Sequence, residues 1–535
     1  MNILSDRFSE IKKASEPLYR TPKSVQETVE ILKISEGGIF EVAEGRYSKT
    51  YRFSDVNYAT RTENEQESFF QKYCKCLNSF DCTFKITVNN KNRDMEALRN
   101  EVMLGLRNDG FDEMRESYNR IIEEKILEGR QGIEQERYIT VTVKRKNFEE
   151  AKAQFATIES TMFKSFAELG SRLTPLSGNE RLRILHDYYR LGREDEFNFD
   201  IRKGKITGTD FRNEICNSSI KYYPNCFEDE GKVGRVLFIK KYPTYLSDRF
   251  FTELTFLPVH SITSVDVVPV PKDLTMKMLQ KKYLGIESDI IKQQRTRNRN
   301  NDFSSDISYS TRQKKRDIEE IMNNVRENDE SLFYVSVTMI VMAESRKELN
   351  SICKTIDSIA KGAGCAVDTC MYKQREAVNT TLPIGVRQIE TMRTMLTQSL
   401  AVLMPFNVQE LCDRNGIYYG VNQISKNIIV GNRKKLLNGN GFIFGVSGAG
   451  KSFQAKMEMG SVLLSTDDNV IAVDPMNEYE DVTEKYNGTY INISTNTRNY
   501  INPMDMDVWN LDVLDSKGWV RDKCQFMLSI CEQIM

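Results

Sequence analysis

The sequence is short of histidine, of net charge and of long apolar runs, and each shortage narrows what the chain can be. Its 535 residues include only two histidines, His186 and His260, which lie far apart, so a histidine-based catalytic or zinc centre is disfavoured. Basic residues number 75 and acidic residues 76, so the composition as a whole gives no attraction to nucleic acid or anionic lipid. The longest apolar stretch, residues 332–342, is too short to span a bilayer.

The N-terminal residues and the cysteines indicate the compartment. The first twenty residues contain no apolar core of the signal-peptide type. Eleven cysteines, an odd number, are scattered without a C-x-x-C pair, although Cys74, Cys76 and Cys82 lie close together. Unpaired cysteines are typical of a reducing compartment. We therefore expect a cytoplasmic chain that is soluble or peripheral at a membrane.

A glycine-rich run towards the C-terminal end matches the phosphate-loop pattern G-x-x-x-x-G-K-[ST]. Glycines allow the positive φ angles with which successive backbone N–H groups turn inward around an anion. A helix that begins at Lys451 would point its positive dipole end at the phosphates, with Lys451 reaching the β- and γ-phosphates and the Ser452 hydroxyl binding Mg²⁺. The sequence therefore predicts a nucleotide site formed by Gly445, Val446, Ser447, Gly448, Ala449, Gly450, Lys451 and Ser452.

The residues around this run have the pattern of a βαβ unit. Residues 441–444 and 470–473 are short apolar runs of the buried-strand type. Between them, four positions are spaced to share one face of a helix: Phe453, Met457, Gly460 and Leu464. A strand, a phosphate loop, a helix and a second strand place the ligand at the carboxyl ends of the strands, where Asp474 follows the second strand.

A strand-and-helix pattern occurs twice ahead of the loop. Residues 138–143 are typical of a strand, and helix-spaced apolar positions follow from Phe148 to Met162. Residues 334–341 and the positions from Leu349 to Ile359 repeat the pattern. Further strands are predicted at 82–88 before the first pair, and at 236–239 and 262–268 before the second. We interpret these as two α+β units of related build, at residues 1–215 and 216–400, ahead of a third region at residues 401–535.

The stretch Lys292–Asp317 is basic, polar and rich in asparagine. We favour a solvated loop between helices here. The alternative is a contact with a phosphate backbone or with lipid headgroups. Only Phe303 and Tyr309 interleave the charges, which is little support for base stacking.

Three segments resemble the conjugative type IV secretion ATPases, which are large cytoplasmic motors of the RecA-like class that includes FtsK and HerA. They are the stretch Ser399–Ser452 with Met404-Pro-Phe in its first part, the D-P-x-x-E-Y segment Asp474–Tyr479, and the turn Asn502–Asp505. The resemblance is to the form carried by mobile elements of Gram-positive bacteria. It implies an α/β plus α+β chain: an N-terminal α+β scaffold, with its two units as candidates for a duplication, followed by the first part of a RecA-like P-loop NTPase domain.

The resemblance also implies roles for individual residues. Gly445 to Ser452 match the family's phosphate loop, and Asp474 and Glu478 match acidic groups that lie beside the γ-phosphate and hold Mg²⁺ or polarise water. On this basis Lys451 and Glu478 are the expected catalytic residues, Ser452 and Asp474 are the expected metal ligands, and ATP and Mg²⁺ are the expected cofactors. An acid favoured by a helix N-terminus is the alternative for Glu478.

The same resemblance implies partners and a place in the cell. The expected partners are inner-membrane components of the secretion channel, the coupling ATPase and further copies of the chain in a hexamer. The expected location is cytoplasmic and peripheral, at the inner face of the cell membrane. A direct contact with nucleic acid is left undecided.

One motif of a RecA-like motor is missing from residues 453–535. Such a motor needs an apolar strand that ends in Asp-Glu, but the only apolar run here that ends in an acid leads to Asp474, which a proline follows. We therefore expect a C-terminally truncated chain that does not hydrolyse ATP alone. Two alternatives to the secretion motor stay open: a DNA translocase of the FtsK/HerA type, and a nucleotide-binding structural subunit that does not hydrolyse ATP.

Overall fold

The computed structural model describes residues 22–92, 95–128, 133–243, 245–299, 309–327, 329–413, 416–423, 427–436, 438–494, 497, 502–505 and 516–534. These residues fall into two compact units. The front unit holds the described residues of Met1–Met103 and Ile121–Gly431, and the second unit holds those of Leu104–Arg120 and Asn432–Met535. The domain boundaries that the sequence places near residues 215 and 400 stay predictions.

The front unit contains the same order of strands and helices twice. The first set is β1 (Lys33–Ile34), β2 (Ile39–Ala43), β3 (Arg46–Phe53), α1 (Glu63–Asn78), β4 (Thr83–Asn92), α2 (Met95–Val102), α3 (Asp112–Glu128), β5 (Ile133–Lys144), α4 (Phe148–Glu168) and β6 (Leu173–Pro175). Three helices follow it: α5 (Gly178–Tyr189), α6 (Ile201–Thr207) and α7 (Phe211–Ile215). The second set is β7 (Ile220–Tyr222), β8 (Phe227–Asp229), β9 (Lys232–Lys241), α8 (Arg249–Thr255), β10 (Ser261–Val270), α9 (Lys272–Arg299), α10 (Tyr309–Glu327), β11 (Leu332–Ala343), α11 (Arg346–Gly362) and β12 (Ala366–Thr369).

The order of the strands makes the two sets equivalent halves of one antiparallel sheet. The sheet runs β1-β2-β3-β5-β4-β10-β11-β9-β8-β7, with β6 paired to β3 and β12 paired to β9. Each set thus repeats the βαββαβ order of a split βαβ fold, and the two join at the centre, where β4 pairs with β10 and Ile86 lies opposite Val265. The strand and helix pattern predicted at 138–162 and 334–359 is confirmed in β5–α4 and β11–α11.

The segment that follows the second set lies across the sheet. Its elements are α12 (Gln374–Thr381), β13 (Arg393–Leu396), α13 (Thr397–Ala401) and the hairpin β14 (Ile417–Val421) and β15 (Ile428–Gly431). Backbone carbonyls of residues 380–386 accept hydrogen bonds from side chains of β3, β4, β5 and β10, as in the bonds from Lys85 Nζ to Val386 (3.0 Å) and from Thr50 Oγ1 to Pro383 (3.1 Å). The buried side of the sheet is therefore polar along this line, and the side chains that donate to these carbonyls are paired.

The lead-in residues of the secretion-motor resemblance pack in the core of the first set. Phe406 is 1% exposed and lies edge-on to Phe69 and Tyr73. The Arg137 guanidinium donates to the Pro405 carbonyl (2.6 Å). The segment therefore ties the chain ahead of the phosphate loop to the front unit.

The C-terminal part of the second unit contains the α-helices α14 (Lys451–Ser465), α15 (Glu480–Lys485) and α16 (Ser516–Ile534). The strands predicted at 441–444 and 470–473 are wrong for this structure, in which both runs lie outside any strand. Phe444 and Val473 are 87% and 94% exposed. A strand forms only where a neighbouring strand accepts its backbone hydrogen bonds, and none of the described residues supplies one here.

The loop predicted at Lys292–Asp317 is also largely wrong. The helix α9 continues to Arg299, and α10 begins at Tyr309; residues 300–308 lie outside the described chain. The reason is local, because lysine, arginine and glutamine are good helix formers when the helix is solvated. Among the described helices, none combines the length and apolar character needed to cross a membrane.

Candidate nucleotide site

The phosphate loop is a solvent-exposed turn that leads directly into α14. Gly448 and Gly450 have φ angles of 79° and 87°, in the left-handed region where any other side chain is strained. Gly450 is the N-cap of α14, and the helix begins at Lys451, as the sequence predicts. The loop is closed by a hydrogen bond from the Ala449 N–H to the Val446 carbonyl (3.2 Å).

The Lys451 side chain folds back over this loop. Its Nζ donates to the carbonyls of Gly445 (2.9 Å) and Val446 (3.0 Å). The ammonium is therefore held at the mouth of the loop, where it would meet an anion bound by the backbone N–H groups. Ser452 lies beside it in the first turn of the helix and is half-buried.

These residues fit a nucleotide phosphate and its Mg²⁺. The loop offers a helix N-terminus, an ammonium and the hydroxyls of Ser447 and Ser452, and residues 445–452 include no carboxylate that would repel an anion. The two left-handed glycines, Gly448 and Gly450, have no Cβ and leave open space beside the loop backbone. The donor set therefore has the chemistry of a phosphate site, with Ser452 as the group in the loop that can bind the cation.

Asp474 is engaged by the backbone that follows it. Its carboxylate accepts hydrogen bonds from the N–H groups of Glu478 (2.7 Å), Tyr479 (2.9 Å) and Met476 (3.2 Å). Desolvation raises the pKa of Asp474, but the N–H donors outweigh it and hold the pKa below its ordinary value. The carboxylate is thus kept ionised and shapes a turn, and its role as a metal ligand stays a prediction.

Glu478 lies in this turn, two residues before α15, with its side chain exposed. The turn is joined to α14 by Lys456, whose Nζ lies 5.9 Å from the centre of the Tyr479 ring. Among the described contacts, none joins Asp474 or Glu478 to the phosphate loop itself. The catalytic role of Glu478 therefore also stays a prediction.

The C-terminal end of α14 is held by a segment from far up the chain. Residues Leu104–Arg120, which we call the excursion, lie between β4 and β5 in sequence and belong to the second unit. The Arg115 side chain is 1% exposed; its Nε donates to the Leu464 carbonyl (3.2 Å), and its Nη1 donates to Asp109 (2.6 Å) and Asp112 (2.7 Å). Positive charge at this helix end complements the dipole of α14.

A second arginine of the excursion extends the same contact. Arg107 donates to the Ser465 carbonyl (2.8 Å) and to the Asp467 carboxylate (2.8 Å). The excursion also places Phe111 against Tyr486, with ring centres 5.7 Å apart. Tyr486 in turn approaches Gly460 of α14 so closely that a Cβ there would lie 2.8 Å from the tyrosine hydroxyl, so this glycine is required for packing.

Arg107 and Arg115, which hold the C-terminal end of α14, could not be identified from the sequence. Arg107 and Arg115 are separated from α14 by more than three hundred positions, and neither stands in a recognisable motif. The only local signal is that Asp109 and Asp112 lie six and three residues before Arg115, a spacing that also occurs on solvated helix faces.

A comparison with protein families identifies the class of this unit. Residues 432–521 match the family model described as "Helicase HerA, central domain". No curated protein matches the chain. The matched segment contains the phosphate loop, α14 and the Asp474 turn, so the P-loop NTPase class expected from the sequence is confirmed. The C-terminal part of the chain therefore has a P-loop NTPase domain of the FtsK/HerA type.

Proposed function

We propose that the chain is the ATP-binding motor subunit of a conjugative type IV secretion machine, in which ATP hydrolysis drives substrate transfer or assembly of the apparatus. The observation that carries the proposal is the combination of a HerA-type phosphate loop with a large front unit built from two equivalent halves. A large scaffold outside the NTPase domain fits a component that must also attach to a channel.

The proposed roles of the loop residues rest on the geometry of the loop, and those of Asp474 and Glu478 rest on the family resemblance. The N–H groups at the start of α14 bind and orient the nucleotide phosphates, and Lys451 leaves its carbonyl partners to donate to them. Mg²⁺, when bound, would neutralise charge on the phosphates, and Ser452 and Asp474 are the proposed groups that hold it. Glu478 is the proposed acid that orients the attacking water.

The proposal includes partners and a location. The front unit would contact inner-membrane components of the secretion channel and the coupling ATPase, and the NTPase domains would assemble as a hexamer. The chain would then lie in the cytoplasm at the inner face of the membrane. Each of these follows from the family resemblance.

The experiment is a transfer assay in donor cells that lack their own copy of the gene. Lys451→Ala should give a transfer frequency as low as that of the deletion, at equal protein abundance, because the ammonium is the main charge that the loop offers to the phosphates. Lys485→Ala, which removes the same charge from an exposed position on α15, should restore transfer. Full transfer with Lys451→Ala would overturn the motor role.

The match to a HerA domain also supports a second candidate, a DNA translocase. The secretion motor and the DNA translocase differ in whether they need the secretion channel. A translocase would move along duplex DNA in the absence of the secretion channel, and its loss would not abolish transfer. A structural subunit that binds ATP without hydrolysing it would support transfer with Glu478→Gln, which removes the proposed catalytic acid and leaves the phosphate loop intact.

A further inference from the structure

A helical arm stands between two central strands of the front unit. It consists of α9 (Lys272–Arg299) and α10 (Tyr309–Glu327) and is inserted between β10 and β11. At 1.5 Å per residue, α9 is about 42 Å long. The two helices pack on each other through Lys315, whose Nζ lies 3.1 Å from the Glu287 carboxylate and 5.1 Å from the centre of the Tyr283 ring.

The arm is in contact with solvent along most of its length. Leu279 and Val325, near its base, are buried, but between them none of the side chains whose burial is described is buried. The arm is therefore not a core element of the front unit. The solvent-exposed far part of the arm is therefore available to a binding partner.

The net positive charge of the arm is concentrated in its far part, which we define as residues 292–299 and 309–316. The eight charged residues there are all basic: Lys292, Arg295, Arg297, Arg299, Arg312, Lys314, Lys315 and Arg316. Those described as exposed are Lys292, Arg295, Arg312, Lys314 and Arg316. The acidic residues of both helices all lie outside the far part, where they accompany the other basic residues of the arm: Lys272, Lys277, Lys281, Lys282 and Arg326. A chain with balanced overall charge thus carries a local positive patch.

The other residues of the far part restrict the kind of polyanion. They are glutamine, asparagine, serine and threonine, apart from Tyr309. A helix that lies in a lipid surface needs an apolar face, and a platform for single-stranded nucleic acid needs several aromatic rings. Side chains of the types found here instead make up most phosphate contacts of duplex-binding proteins.

We propose that the far part of the arm binds the phosphate backbone of a nucleic acid duplex without reading its sequence. The surface lies in the front unit, and the proposal does not rest on hydrolysis or on the secretion role. Binding would be electrostatic, because each phosphate neutralised by a basic side chain releases a condensed counterion. It should therefore weaken steeply as salt is added.

The test is binding of a fluorescent 25-base-pair DNA duplex to the whole chain, measured by anisotropy over a series of salt concentrations. The arm variant combines Arg312→Gln, Lys314→Gln and Arg316→Gln. Glutamine keeps the helix propensity, and circular dichroism checks that the helix content is unchanged. The control combines Lys277→Gln, Lys281→Gln and Lys282→Gln, which removes three exposed charges from the base of the same arm.

We expect the arm variant to bind the duplex about tenfold or more less tightly at low salt, and the slope of log K against log salt to become shallower by about 2 to 3. The control should bind within about twofold of the wild type. Equal losses in the arm variant and the control would overturn the proposal, because they would show only an effect of net charge. Binding to vesicles with anionic lipid but not to the duplex would overturn it in favour of a membrane contact.

Discussion

At the scale of single residues, burial decides which cysteine thiols can react. Cys76 lies in the core on α1 and is 3% exposed, and burial raises the pKa of its thiol to about 12. Cys524 and Cys531 are exposed on α16. Since the thiolate is the reactive form, a maleimide should label Cys524 and Cys531 first and reach Cys76 only on unfolding. Peptide mass spectrometry over a time course measures this, and early labelling of Cys76 would contradict the packing of α1.

A buried carboxyl in β8 should make stability depend on pH. Asp229 is 4% exposed and accepts a hydrogen bond from Asn217 Nδ2 (2.7 Å). Burial raises the pKa of Asp229 from 3.8 to about 7. Between these values the folded chain keeps a proton that the unfolded chain has lost, so this contribution to stability is complete below pH 3.8 and is lost as the pH rises to about 7.

The variant Asp229→Asn isolates this effect, because it keeps an acceptor for Asn217 and cannot titrate. The free energy of unfolding of the wild type relative to the variant should fall across the window by several kcal/mol at most, at about 1.4 kcal/mol for each pKa unit. Urea unfolding at a series of pH values measures it. Parallel curves for the two proteins would show that Asp229 is ionised in the folded state.

At the scale of secondary-structure elements, the excursion is predicted to stabilise α14. Arg115→Ala would leave the Leu464 carbonyl without its buried donor, which costs about 1–3 kcal/mol. Arg107→Ala is the control, because the Arg107 side chain is 39% exposed and exposed ion pairs contribute about 0–1 kcal/mol. Hydrogen exchange of the amides of α14 should rise much more in the first variant. Equal exchange in the two would contradict the role given to Arg115.

Some of the strands and helices could be predicted from the sequence, and others could not. The strand β11 was predictable because it is an almost continuous buried apolar run. The helices α4 and α11 were predictable because their buried apolar residues recur at helical spacing on one face. The helical residues 292–299 and 309–317 were missed because they contain no apolar side chain apart from Tyr309 and so show no apolar periodicity. The strands at 441–444 and 470–473 were predicted from local pattern alone, and pairing depends on neighbours that a local pattern does not contain.

At the scale of the whole molecule, the repeat of the two strand sets and the packing of the excursion depend on contacts between distant parts of the chain. The two halves of the sheet correspond strand by strand, although their residues are too different for the repeat to be established from sequence. The phosphate loop is the opposite case, because its function requires fixed residue types at fixed spacing. The start of α14 at Lys451 and the NTPase class of the domain were therefore both predictable from the sequence. The contact between Arg115 and α14 joins residues that are distant in sequence, and such contacts leave no local signal.

We infer that residues 445–452 bind a nucleotide through Lys451. Calorimetric titration of the whole chain with ATP and Mg²⁺ measures this binding. We expect the wild type and Lys485→Ala to bind ATP. We expect a loss of about tenfold or more in Lys451→Ala, because a charge-assisted hydrogen bond contributes about 1.5–3 kcal/mol. An unchanged affinity for ATP in Lys451→Ala would contradict the assignment of the site.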